Sequence, residues 1–271
     1  MKNKIPRILI SNDDGIRAQG LKVLVDAVSE LGQVDIVAPS LNQSGKAHGI
    51  TYMGPLRFHK IKFHGRIAHR VDGTPADCVK LAFCEILKQA PTLVLSGIND
   101  GPNWGQSLLY SGTVGAALEG TILGVSSIAF SLASLAEQHD FSASKMVVKY
   151  LVGYVLKNPL PQGVCLSVNI PPVKLKQLKG FRLTRQGLCR FEESFTQKPD
   201  QKGRMAYWMA GKFTPLGNSR HCDHTAIAKN FVSVTPISYD LSLRERPHIK
   251  GLKAWTSKFL LWSDRVHYFS V

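Results

Sequence analysis

No apolar run in the 271 residues approaches the ~18–20 residues that cross a bilayer, so no membrane-spanning helix is expected. Cysteine is scarce. The five residues Cys78, Cys84, Cys165, Cys189 and Cys222 are odd in number, scattered and without a CxxC pair. That usage points to free thiols in a reducing cytoplasm and argues against a zinc site. No GxGxxG follows the first apolar run, which argues against a dinucleotide site, and no GxxxxGK[ST] is present, which excludes a P-loop. There is no internal repeat and no low-complexity tract. The basic start Met1-Lys2-Asn3-Lys4 leads into an apolar strand without a small-residue cleavage site, so no leader is expected. Acidic residues are also few, 19 Asp+Glu against 34 Lys+Arg, for a net charge of +15. The excess is uneven, +4 over residues 1–170 and +11 over 171–271. A basic C-terminal part can draw nucleic acid or phosphorylated substrates. No dense Lys/Arg block accompanies it, and a solvated basic surface explains it equally well.

What is present begins with Ile8-Leu9-Ile10, a short apolar run that reads as a buried strand and stops at Asp13-Asp14-Gly15. Two adjacent carboxylates at a strand end need a metal ion, a shared proton or a basic partner. The plain alternative is a polar turn in which Asp14 caps the next helix. Leu21, Leu24, Val25 and Val28 then make a helical stripe over Gln19–Leu31, and residues 34–38 a second strand. This βαβ order predicts a parallel sheet, and such sheets bind ligands beyond the carboxyl ends of their strands.

Further segments lie at the same end. Residues 39–49 form a polar loop with Ser44. Gly73-Thr74-Pro75 opens a helix reaching to about Gln89, with Asp77 in its first turn in a structural role. The strand Pro91–Ser96 runs into a loop carrying Asn99 and Asn103. Ser111-Gly112-Thr113 opens a helix whose free N–H groups can hold an anion, or can simply be capped by Ser111 or Thr113. His59, His64 and His69 lie five apart, which fits no shared face, and read as surface or satisfied histidines. A strand over Val125–Leu132, a helix over Phe141–Leu156 and a strand ending near Asn169 complete the expected core. Beyond it, Gly180–Arg190 and Met205–Gly211 are expected to pair as a hairpin with residues 192–204 as its tip. Residues 231–236 read as a strand and Leu252–Trp262 as a helix.

Asp13, Asp14, the Ser44 hydroxyl and the Asn99 amide oxygen make a hard, all-oxygen donor set. It suits Mg²⁺ or Mn²⁺, with Ca²⁺ a third option, and leaves positions open for water and a phosphate oxygen. With the helix start at Ser111–Thr113 holding other phosphoryl oxygens, the expected chemistry is phosphomonoester hydrolysis. A carboxylate, Asp13 or Asp14, is then the general base.

The segments SNDDG (11–15), APSLNQSG (38–45), GTPADCV (73–79), SGINDGPNWG (96–105) and YSGTVGAALEG (110–120) resemble the survival protein SurE family. NIPP (169–172), LTRQG (183–187), YW (207–208) and FVSVTP (231–236) follow in the family's order. The resemblance implies a metal-dependent 5′/3′-nucleotidase of nucleoside monophosphates with one Mg²⁺ or Mn²⁺ per subunit. It implies metal ligands at Asp13, Asp14, Ser44 and Asn99, and active-site positions at Asn103 and Ser111-Gly112-Thr113. It implies an α/β fold with a Rossmann-like, mostly parallel sheet and helices on both faces. Residues 1–170 would be the catalytic core. Residues 171–271 would form a hairpin and helix extension used between subunits of a dimer or tetramer. Short polyphosphate is a further implied substrate. Two departures stand out: Asn230 where Gly is usual, which a left-handed turn tolerates, and a divergent tail after Trp255. Competing readings are an aspartyl-nucleophile phosphatase, which adjacent rather than alternate aspartates disfavour, a nucleic-acid-binding protein and a catalytically dead scaffold.

Overall fold

The computed structural model describes residues 5–134, 140–217 and 219–242, and the architecture here is that of the unit ending at Tyr239. Among the described residues there are eleven strands: β1 (Arg7–Ser11), β2 (Gln33–Pro39), β3 (Phe58–Phe63), β4 (Arg66–Val71), β5 (Leu93–Asp100), β6 (Ser127–Leu132), β7 (Val164–Ile170), β8 (Phe181–Leu183), β9 (Cys189–Pro199), β10 (Met205–Pro215) and β11 (Val232–Ser238). The α-helices are α1 (Gln19–Val28), α2 (Pro75–Leu81), α3 (Gly112–Ile122), α4 (Ser142–Lys157) and α5 (Asp223–Ala228). Nine strands form one sheet in the order β3-β4-β2-β1-β5-β6-β7-β11-β8. The six from β4 to β7 are parallel. β3 and β11 are antiparallel to their inner neighbours.

Period-two alternation sorts the core. Ile8 and Ile10 join α1 and α4 on one face, with Leu93, Leu95 and Phe130. Leu9 faces the other way with Val37 and Val94, against α2 and α3. Helices therefore cover both faces, and the sheet reads as continuous apolar runs because both sides are buried. The winding reverses at β1. The chain first builds outward through β2, then returns to place β5 on the opposite side of β1. Among the described residues no sheet connection crosses the carboxyl ends of β1 and β5, the place where open α/β sheets form their ligand crevice.

The helix expected over residues 73–89 is α2 followed by one widened, π-type turn over Ala82–Ile86. Thr74 and Asp77 cap it reciprocally, the structural role expected of Asp77. The hairpin is shifted from its expected position. Its strands are β9 and β10, paired from Cys189–Pro215 to Pro199–Met205, so its tip is confined to residues 200–204. Phe181–Leu183 is instead the last strand of the main sheet, beside β11. The sheet thus runs past Ile170. Asn230 sits at φ 63°, the left-handed turn expected before β11. The expected helix at Leu252–Trp262 lies outside the described residues. Among the described residues no helix is long and apolar enough to cross a membrane.

Candidate active site

The crevice above β1 and β5 holds the aspartate pair. Asp13 is 3% exposed. Its Oδ1 accepts the Thr113 hydroxyl at 2.5 Å, and the backbone N–H groups of Gly112 and Thr113 also donate to this carboxylate. Burial pushes the Asp13 carboxyl up, and these donors work against the rise. Gly112 is required by this contact. A Cβ there would lie 2.8 Å from the Asp13 Cβ and 3.1 Å from its Oδ2. The first turn of α3 is therefore closed down on Asp13, and the positive end of the helix faces the carboxylate. Ser111 caps the helix, its hydroxyl accepting from the Val114 N–H at 3.1 Å.

Asp14 is half-buried, and its Oδ2 accepts the Asp100 N–H at 3.1 Å. Burial, with the charge of Asp13 next, pushes its carboxyl up to about 7. Among the described residues no Lys, Arg or His pairs with either aspartate. Of the three answers for this pair, a basic partner is excluded within the described chain.

The other expected ligands come from neighbouring loops. The Gln43 N–H donates to the Asp13 carbonyl at 2.7 Å, which ties the Ser44 loop to the aspartate pair. Ser44 closes a turn through its N–H to the Asn42 side-chain oxygen at 2.8 Å. Its hydroxyl is exposed and makes no hydrogen bond among the described residues. Asn99 is buried. Its Nδ2 donates to the Gly101 carbonyl at 2.9 Å, which fixes the amide and leaves Oδ1 without a hydrogen bond among the described residues. Among the described residues no three His, Cys, Asp or Glu side chains converge as a metal cluster. A cation here needs the hydroxyl and amide as well as the carboxylates. The two uncompensated carboxylates and the two free oxygens fit a hard divalent ion.

Asn103 is held by two neighbouring strands. Its Nδ2 donates to the Ser131 hydroxyl at 2.9 Å, and its backbone exchanges hydrogen bonds with the Asn169 amide at 2.8 and 3.0 Å. The structure thus anchors it to β6 and β7, not to the aspartates. Sequence reasoning did not find two further supports. Asp223 is buried and accepts from the N–H groups of Gly105 at 2.8 Å and Gly187 at 3.1 Å, pinning the loop that follows Asn103. Glu119, on α3, pairs with Lys80 at 2.7 Å and with His48 at 2.8 Å. Burial would push the Glu119 carboxyl up, but His48 and Lys80 outweigh it and hold it below its ordinary value. Through His48, α3 grips the Ser44 loop.

The family model described as "Survival protein SurE" matches residues 8–193. This chain belongs to the SurE family. A 5′-nucleotidase SurE from Christiangramia forsetii is 40% identical over 259 residues, covering 94% of this chain and 99% of that protein. One from Cytophaga hutchinsonii is 44% identical over 242 residues, covering 89% and 93%. The crystal structure of a SurE protein from Aquifex aeolicus has a TM-score of 0.78 at 39% identity, covering 93% of this chain and all of that one. The SurE fold and the mostly parallel sheet expected from the sequence are both present.

Proposed function

We infer that this SurE-family chain is a 5′-nucleotidase, with 3′-monophosphates also as substrates, hydrolysing nucleoside monophosphates with one Mg²⁺ or Mn²⁺ per subunit. The observation that carries the reading is the Asp13–Asp14 pair, one buried and one half-buried, with no basic partner among the described residues, facing the start of α3. The names of the relatives support it. Asp13, Asp14, Ser44 and Asn99 would hold the cation. When bound, it supplies polarisation of a phosphoryl oxygen and acidifies water. Asp13 has an oxygen engaged by Thr113 and the helix N–H groups, so its role is to hold. Asp14 accepts a single backbone hydrogen bond, and its remaining lone pairs make it the proton acceptor of the two. Ser111, Gly112 and Thr113 fix the positive end of α3 beside the phosphate's seat. Asn103, held by Ser131 and Asn169, would line the site beside them. Exclusion of water by the loops around the crevice would sharpen these electrostatics.

The free cysteines support the cytoplasm as the compartment. The β9–β10 hairpin supports a dimer or tetramer, because an isolated two-stranded ribbon is only marginally stable and this one exposes apolar residues. Short polyphosphate is a second substrate class consistent with the basic chain. A nucleic-acid-binding function draws only on net charge and has no site observation behind it. The deciding experiment is phosphate release from a panel of 5′- and 3′-nucleoside monophosphates with Mg²⁺, Mn²⁺ or EDTA. Metal-dependent release that disappears in Asp13→Asn is the expected result. No release with either metal would sink the reading.

A further inference from the structure

Glu119 is a buried charge that takes no part in the proposed chemistry. It is 2% exposed, stands two turns into α3, and has two basic partners: Lys80 on α2 and His48 in the Ser44 loop. Lys80 alone balances its charge. A buried ion pair often stabilises no better than apolar side chains of its size, and its better-attested use is to fix one arrangement of the chain. The second partner does that here. His48 Nε2 lies 2.8 Å from Glu119 Oε2 and ties the loop to the helix.

One face of α3 reaches both the aspartate and the loop. Gly112, Gly115 and Glu119 follow one another at three and four residues, so they share a side of the helix. Gly112 closes on Asp13. A Cβ on Gly115 would lie 2.6 Å from the Ala47 carbonyl oxygen and 2.9 Å from the His48 Cα, so the helix backbone rests on the loop itself. Ala47 has φ 52°, left-handed without being glycine, and its N–H donates to the Tyr110 carbonyl at 3.1 Å. A side chain keeps such a backbone only where its surroundings impose it. On the other side of Ser44, the Gln43 N–H is bonded to the Asp13 carbonyl. Ser44 therefore stands between a tie to Asp13 and a tie to α3, and α3 touches Asp13 as well. We propose that His48 and Glu119 are positioning residues for the cation site: they hold the Ser44 hydroxyl in a fixed relation to Asp13, so that the ligands are set before the ion arrives. The role rests on the reading of Asp13, Asp14, Ser44 and Asn99 as the ligands.

The test is Mn²⁺ binding to the full chain by titration calorimetry, for wild type, His48→Ala, Ser44→Ala and the double variant. His48→Ala should raise the Kd about tenfold, the scale on which groups behind metal ligands act. Ser44→Ala should weaken binding too. Added to Ser44→Ala, His48→Ala should change nothing further, because the ligand it positions is already gone. A merely structural role would weaken binding by the same factor in both backgrounds. That result, or an unchanged Kd in His48→Ala, would overturn the positioning role and leave the cation reading standing. Gly115→Ala deletes no polar group and drives its methyl into the Ala47 carbonyl. It should weaken Mn²⁺ binding in the same non-additive way, and it replaces His48→Ala in the cycle if that variant does not fold. No Mn²⁺ binding by wild type would sink the cation reading and the positioning role with it.

Discussion

In the crevice above β1 and β5, polar groups are buried: Asp13 is almost fully enclosed, Asp14 half so, and among the described residues no cation compensates them. On the β9–β10 hairpin the reverse holds. Met205, Tyr207 and Met209 alternate along β10 with Phe195 opposite Met209, all on one face of the ribbon, and Tyr207 is 73% exposed. Each region breaks the ordinary sorting of polar outside and apolar inside, in opposite directions. A buried uncompensated charge calls for a ligand of opposite charge. An exposed apolar stripe on a two-stranded ribbon calls for cover by protein. The scaffold between them, sorted cleanly by alternation, needs neither.

The largest expected effect comes from the first region. Asp13→Asn or Asp14→Asn should lower kcat by about 10³-fold or more, as should chelation of the metal, on the scale of removing a preorganised electrostatic group. The metal-free Asp14→Asn protein should nevertheless melt higher than metal-free wild type, by the equivalent of about 1 kcal/mol, because one of two repelling buried carboxylates is gone. A lower midpoint in that variant would mean that the pair is compensated within the chain, and the contrast with the hairpin would collapse.

Next is Gly112→Ala. The added methyl meets Asp13 at 2.8 Å, so either the carboxylate or the first turn of α3 must move. A displacement of this kind predicts about a 10²-fold loss in kcat/KM with little loss of fold. Activity within a factor of two of wild type would show that the close fit does not matter.

Glu119→Gln acts through position rather than contact. It should cost about 1–3 kcal/mol by leaving His48 and Lys80 without their shared carboxylate. The carboxyl is held below its ordinary value of 4.5, so its contribution is complete above that pH and fades as pH falls through the lowered value. The gap between wild type and variant, followed by denaturant titration, should therefore be full at neutral pH and narrow in acid. A gap that widens in acid would reverse the assignment of the ion pair.

The two regions also differed in how far the sequence revealed them. The aspartates were placeable because β1 is a short apolar run with a hard stop, and βαβ order puts that stop at the ligand end of the sheet. Asn99 and Ser44 followed from the same rule. Asn103 was named only through the resemblance, since its partners Ser131 and Asn169 lie on strands 28 and 66 residues away. The Asp223 clamp joins Gly105 across 118 residues, and only the folded chain brings the two together. The hairpin was misplaced because alternation needs one buried face to be visible. Most of β9 and β10 is exposed on both faces, so no in–out contrast marked the ends of either strand. Phe181–Leu183, three residues long, was absorbed into it for the same reason. The widened turn after α2 was hidden because Phe83 and Ile86 continue the helical stripe.

The smallest effect on the chemistry should come from the hairpin, and that is what makes it informative. Tyr207→Ser combined with Met209→Ser removes apolar surface from the stripe without touching the Asp223 clamp at the ribbon's base. Both positions are exposed, so a chain that functions alone would lose almost nothing in stability. If the stripe is covered by a second copy, the double variant should shift to lower mass in sedimentation at micromolar concentration, since interfaces depend on a few large apolar anchors. The kcat per site should stay within about twofold, because the clamp and Glu119 hold the crevice from within the subunit. An unchanged mass would leave the stripe without a cover from its own kind. A large fall in kcat together with a lower mass would show that the crevice depends on its neighbour, and the two regions would then be one device rather than two.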